Sequence, residues 1–192
     1  AYSDNSEYST ARRTLGELKV KPALQWILGW LESNPTRKLV IFAHHTSVME
    51  NVAKGLNESK SYAGGVSYIN GRTPANLRAD QVDQFQKYTD IRVFLGQNKA
   101  AGTAITLTAA SDVLLLEPDP SPENNYQAIS RCHRIGQKNS VVARFAHVAD
   151  NYIERRLAST LARRATDVSE LFGQEQQGYI PNRIQPMERY TN

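Results

Sequence analysis

Leu39-Val-Ile-Phe-Ala43 is an unbroken apolar run, and Val113-Leu-Leu-Leu116 repeats the pattern further along the chain. Runs of this length without alternation are expected of parallel strands covered on both faces. Three more short strands read from Val66-Ser-Tyr-Ile69, Ile91-Arg-Val-Phe-Leu95 and Val141-Val-Ala-Arg-Phe-Ala146. Helical patterns lie between them. Pro22 to Ser33 carries Leu24, Ile27, Leu28 and Leu31 at helical spacing. Thr46 can cap a helix that holds Val48, Val52 and Leu56 inward, and Thr73-Pro74 opens another with Leu77, Val82 and Phe85 as core contacts. Alternation of this kind predicts right-handed βαβ units and a layered α/β sheet, with ligands beyond the carboxyl ends of the strands.

The chain has 192 residues, of which 40% are hydrophobic, enough for one sizeable core and too few for two full domains. A single cysteine excludes an internal disulfide and fits a reducing compartment. No apolar run approaches membrane-spanning length and no secretory pattern opens the chain, so an intracellular protein is expected. The net charge of +4 is compatible with nucleic acid without demanding it. The chain opens on Ala1 rather than Met, as a fragment would. Residues 1–14 form a polar N-terminal segment, 15–172 the folded domain, and 173–192 a polar tail expected to be extended or disordered.

The most chemically specific string is Gln127-Ala-Ile-Ser-Arg131-Cys-His-Arg134-Ile-Gly-Gln137. On a helix, Gln127, Arg131 and Arg134 fall at i, i+4 and i+7 and share a face, with Ile129 and Cys132 opposite. Ser121 can cap this helix, Pro122 suits its first position, and Gly136 can end it. Two guanidiniums and an amide projecting together match a polyanion, because each guanidinium presents a planar fork of donors to phosphate oxygens.

This string resembles the last helicase motif of the Swi/Snf-type ATPases, the double-stranded-DNA translocases among RecA-like helicases. That motif reads Gln-Ala-x-x-Arg-x-His-Arg-Ile-Gly-Gln, and every specified position is present. The resemblance implies a RecA-like three-layer α/β sandwich with a mainly parallel sheet, followed by a C-terminal helix. It also implies that Arg131, Arg134 and Gln127 act on ATP held chiefly by a separate first lobe.

Four more stretches are similar to the family. Lys38 to His45 is a strand running into a loop, and Phe42-Ala-His-His45 is particularly similar to the annealing helicases that remodel stalled forks. There His44, His45 and Thr46 are implied to line the DNA groove, although imidazole packing or a loop hydrogen bond accounts for the histidines equally well. Adjacent histidines on an extended strand point to opposite faces, so no two-histidine metal site is expected. Asn70-Gly-Arg-Thr-Pro74, followed by Arg78 and Phe85, is similar to the Gly-Ser/Thr-Thr-Pro segment. It implies DNA contact by Asn70, Gly71, Arg72 and Thr73, with free N–H groups at a helix start able to hold a phosphate.

Leu95 to Ala110 matches the segment that touches both ATP and DNA, which implies ATP contact by Gly102 and Thr106 and DNA contact by Thr103. Ala101 and Ala104 stand where the family has glycine, Thr106 where it has asparagine, and Gly96-Gln97 where Ser-Thr is usual. Glu117-Pro-Asp-Pro-Ser-Pro122 follows its strand as the family's acid-Trp-x-Pro loop does, without the Trp.

No Gly-x-x-x-x-Gly-Lys-Ser/Thr loop and no Asp-Glu-x-His strand end is present. Phosphoryl transfer needs a phosphate cradle, a metal and a positioned water, of which this chain offers the arginines alone. The expectation is a second motor lobe, inert and monomeric by itself, using ATP with magnesium held by the first lobe and gripping duplex DNA. A nuclear location follows if the source is eukaryotic, cytoplasm or nucleoid if microbial. Two other readings stay open: an RNA-helicase lobe, and an interaction module that kept the fold and lost the motor. Basic residues in the Tyr152–Arg164 helix form either a solvated face or a DNA or lobe contact, with Ile153, Leu157 and Leu161 inward.

Overall fold

The computed structural model describes residues 2–98, 105–148 and 151–159. Five parallel strands form one sheet: β1 (Leu39–Ala43), β2 (Gly65–Ile69), β3 (Ile91–Gln97), β4 (Asp112–Leu115) and β5 (Val142–Phe145), ordered β2-β3-β1-β4-β5. Each strand expected from the sequence is present to within two residues at either end. Helices α1 (Tyr2–Ser33), which precedes β1, α2 (Thr46–Glu58), α3 (Ala75–Lys87) and α4 (Pro122–Ile129) pack around the sheet.

The central strand explains the layering. Leu39, Ile41 and Ala43 of β1 pack into a core with Ile27 and Trp30 of α1 and Val48, Met49, Val52 and Leu56 of α2. Val40 and Phe42 point the other way, against Phe85 of α3, Ala128 of α4 and Cys132. Both faces of the sheet are therefore covered, which is why β1 and β4 read as continuous apolar runs. The result is the expected three-layer, RecA-like α/β sandwich.

Three local expectations differ. Helix α1 begins at Tyr2, not Pro22, and carries Pro22 in its interior. Leu15, Lys19, Ala23, Ile27 and Trp30 form one buried stripe along it, so packing outweighs the helix-breaking tendency of proline, which costs about 3 kcal/mol. Leu77 is exposed, whereas Val82 and Phe85 pack inward as expected. Neither Thr46 nor Thr73 caps a helix. His45 is the N-cap of α2 and Pro74 that of α3, and neither makes a side-chain cap bond.

Beyond β5, residues 152–159 are helical, and Asn151 Oδ1 accepts the Ile153 and Glu154 N–H groups at their start. Ile153 and Leu157 are half-buried, but the most buried residue is Glu154, which pairs with Lys19 at 2.8 Å. Lys19 also donates to the carbonyls of Leu116 and Ala146, so a buried ion pair ties α1 to the strand ends and to this helix. Leu161, Arg163, Arg164 and the tail 173–192 lie outside the described residues.

Candidate functional site

The chemistry-bearing residues fall into two groups at opposite ends of the sheet. One lines the carboxyl ends of the strands. The other precedes β4 and β5, near their amino ends, because the α4 crossover carries the chain back across the sheet. The expectation that all motif-bearing segments lie beyond the carboxyl ends therefore fails for the arginines.

Helix α4 starts as expected, with Ser121 accepting the Asn124 N–H and Pro122 in the first turn. It stops at Ile129 rather than running to Gly136. Arg131 N–H bonds to the Ala128 carbonyl and Cys132 N–H to that of Ile129, so the chain tightens to i→i−3 bonding and leaves the helix. Gly136, at φ +102°, then supports a turn in which Gln137 N–H bonds to Arg134 O. Gln127, Arg131 and Arg134 thus do not share one helical face: Gln127 and Arg134 are exposed, while Arg131 is 8% exposed.

This turn docks onto the Ile105–Ala110 segment. Leu107 N–H donates to the Arg131 carbonyl at 2.8 Å. Gln137 Nε2 donates to the carbonyls of Ala110, Cys132 and Thr108 at 2.7, 3.1 and 3.2 Å. Gln86 of α3 supports the same segment through the Thr108 hydroxyl and the Ala109 N–H. Arg134 donates to the Thr106 hydroxyl at 3.3 Å. Thr106, His133, Arg134, Ile135, Gln137 and Asn139 line an open hollow of about 620 Å³. Burial holds the Arg131 pKa below its ordinary value, and the Arg134 charge adds to that shift. Two like charges so placed favour an anion between or before them. Gly102 and Thr103 lie outside the described residues.

At the carboxyl ends, the loop after β1 is organised by a residue from the β4 loop. Glu117 Oε2 accepts the N–H groups of His44 and His45 at 3.0 and 2.9 Å, and Oε1 bonds His45 Nδ1 at 2.6 Å. The imidazoles meet edge to face, with centroids 4.7 Å apart, instead of pointing to opposite sides. The strand ends at Ala43, so pleat alternation no longer governs them. Burial lowers the His44 pKa, helped by Arg12 and His45, which leaves His44 uncharged at neutral pH.

The loop after β2 closes on itself. Asn70 Oδ1 accepts from the Arg72 N–H and the Thr73 hydroxyl, and Thr73 Oγ1 accepts the Asn70 N–H. Thr73 N–H bonds to Asn70 O. Arg78 staples the carbonyls of Thr73 and Gly71. Gly71 N–H goes to Gln97 Oε1. The N–H groups of residues 70–73 are thus already donating, whereas no side-chain cap covers the start of α3, and the Arg72 side chain is exposed. Among the described residues no cluster of three His, Cys, Asp or Glu could hold a metal.

Sequence reasoning missed two organisers, Glu117 as a loop anchor and Gln97 as a bridge. Each acts on residues distant in sequence, and no local pattern marks it.

The fold and the paired-arginine turn define the second RecA-like lobe of a helicase, and the comparisons with known proteins agree. The chain belongs to the helicase conserved C-terminal domain family, which it matches over residues 19–136. Within that family it is a lobe of the Swi/Snf type. It is 41% identical over 111 residues to the SWI/SNF-related matrix-associated actin-dependent regulator of chromatin subfamily A-like protein 1 homolog of Caenorhabditis elegans, covering 58% of this chain and 16% of that protein. It is 36% identical over 135 residues to the DNA annealing helicase and endonuclease ZRANB3 of Mus musculus, covering 70% of this chain and 12% of that protein. The crystal structure of the C-terminal part of the Fun30 ATPase domain superposes with a TM-score of 0.66 at 26% identity, over 73% of this chain and 44% of that one. The chain therefore spans a small part of the length of these curated relatives.

Proposed function

We propose that this chain is the second motor lobe of an ATP-dependent double-stranded-DNA translocase, which completes an ATP site on a first lobe and grips the DNA backbone. The observation that carries the reading is the Arg134–Thr106 contact at the mouth of the hollow, beside the buried Arg131. Docking of the first lobe over this hollow would bring Arg131 and Arg134 to the phosphates, where their charge meets the charge developing on the transferred group. Gln127, exposed one turn before Arg131, is assigned a role at the closed site. Gly102 and Thr106 are assigned to nucleotide contact. Magnesium is left to the first lobe, since the residues described here offer no ligand cluster for it.

The DNA-facing edge is the set of loops after β1, β2 and β3. Because His44, His45, Gly71, Arg72 and Thr73 have committed their N–H groups, grip is assigned to side chains, Arg72 and the neutral His44 first, then Thr46; Thr103, outside the described residues, is assigned the same role. His45, Asn70, Gly71 and Thr73 hold the loops in shape. Phosphate contact of this kind is independent of base sequence and weakens steeply with salt. The similarity to ZRANB3 and to the chromatin regulator supports a DNA-associated role, nuclear in a eukaryotic source.

The test uses the full-length protein. Its ATPase should rise with duplex DNA and not with RNA. Arg134→Ala should lower turnover about 10³-fold or more while leaving duplex affinity within a few-fold, since an arginine finger contributes roughly 10³–10⁵ in rate. Wild-type turnover in Arg134→Ala would refute the finger role, and a protein silent with every nucleic acid would refute the motor.

A further inference from the structure

Gln97 ends β3, and β3 lies between β2 and β1 in the sheet. Its side chain therefore stands between the loops that follow those two strands. Oε1 accepts the Gly71 N–H at 2.8 Å, and Nε2 donates to the His44 carbonyl at 2.8 Å. A carboxylate of the same length could not donate, and an ammonium could not accept. The approach is close enough that a Cβ on Gly71 would lie 3.2 Å from Oε1. Asn98 extends the tie, since its N–H donates to Ala43 O and its side-chain amide to Glu117 O, both at 2.9 Å. The loops after β2, β1 and β4 are thus joined laterally through the end of β3.

The two loops held by Gln97 carry the side chains assigned to DNA. His44 is one of the bonded residues, and Arg72 follows Gly71 directly. A slip of one loop against the other would separate these groups.

We propose that Gln97 is a positioning residue for the DNA-gripping edge: its amide is a crossbar that fixes the separation of the His44 and Arg72 loops so that both engage one strand. This rests on the DNA-gripping reading above. Gln97 acts through the loops rather than on DNA.

The experiment compares full-length wild type with Gln97→Met, which keeps the length and removes both bonds, and Gln97→Asn, which is too short to hold both loops. Affinity for a random-sequence duplex is measured by fluorescence anisotropy over a range of salt, and amide exchange is followed at Gly71. Two neutral hydrogen bonds in the bridge correspond to about a tenfold loss of affinity in Gln97→Met. With Arg72 out of register, the slope of log K against log salt should fall by about one phosphate contact. Gly71 N–H should exchange faster. If Gln97→Met does not fold, Gln97→Asn carries the same comparison. Unchanged affinity and slope beside a wild type that binds DNA would overturn the crossbar alone. A loss of affinity with the slope unchanged would make Gln97 a direct contact and overturn positioning. A wild type that does not bind duplex DNA even at low salt, with Gly71 exchange still accelerated in Gln97→Met, would overturn the DNA reading and the proposed role with it.

Discussion

The Arg134 guanidinium reaches the Thr106 hydroxyl across 3.3 Å, joining segments 28 residues apart in sequence. The carbonyl of neighbouring Arg131 is fixed at the same place by Leu107 N–H, and Gln137 clamps three carbonyls around it. An exposed arginine has many rotamers, and fixing one costs up to about 2 kcal/mol of side-chain entropy. The Thr106 hydroxyl offsets part of that cost.

Removing the hydroxyl should therefore loosen the arginine without removing it. A hydrogen bond to a charged group contributes about 1.5–3 kcal/mol, which sets a loss of roughly 10- to 100-fold in DNA-stimulated turnover for Thr106→Val. The loss should be smaller than that of Arg134→Ala, and the double variant should lose less than the two single losses combined. Steady-state ATPase on the full-length protein checks this, and additive losses would show that the two residues act separately.

The Lys19–Glu154 pair makes a prediction about stability. Both side chains are almost wholly buried, so either left alone is an uncompensated charge. Desolvation lowers the Lys19 pKa while Glu154 raises it. Lys19→Met should destabilise the fold by about 3–5 kcal/mol, and Lys19→Met with Glu154→Leu should recover much of that loss. Urea unfolding of the four proteins in the cycle measures the coupling, and a double variant as unstable as the summed singles would contradict it.

His44 gives a pH dependence whose sign is fixed. Its folded pKa lies below the ordinary 6.5, burial first, with Arg12 and His45 opposing protonation and Glu117 and Asp119 favouring it. The unfolded chain therefore binds more protons in this window, and stability rises with pH. The contribution is complete above the unfolded pKa and is lost as pH falls below 6.5 through the folded value. Thermal midpoints of wild type should fall more steeply on the acid side than those of His44→Gln. Parallel curves would remove His44 from the account. Because a neutral imidazole releases no counterion, His44→Gln should also leave the salt slope of DNA binding unchanged.

How far the sequence led depends on the range of each interaction. The strands Leu39–Ala43 and Val113–Leu116 were legible because burial on both faces writes itself as an unbroken apolar run. Helix α1 was half legible, since Lys19 occupies a core position and looks like a surface residue. In Arg131–Gln137 the residue types announced anion chemistry, while their spacing suggested a helix that the chain abandons at Ile129. Arg131 read as exposed and is buried. Glu117 and Gln97 were invisible as organisers because they act across 73 and 26 residues, respectively.

Gly16 tests the buried anchor under the β1 loop. A Cβ added there would lie 2.2 Å from Glu117 Oε1 and 3.0 Å from Val48 Cγ2. Two effects oppose each other in Gly16→Ala. Alanine favours the helix by about 0.8–1.0 kcal/mol, while the new methyl displaces a buried carboxylate that holds three hydrogen bonds. Bonds to a charged group contribute about 1.5–3 kcal/mol each, so losing even one outweighs the helix term. Gly16→Ala should therefore destabilise wild type by about 1–2 kcal/mol. In a Glu117→Ala background the carboxylate is gone, and the same substitution should become neutral or stabilising. Urea midpoints for the two backgrounds decide the matter: a destabilisation of equal size in both would mean that Gly16 is required by Val48, and not by the carboxylate beneath His44 and His45.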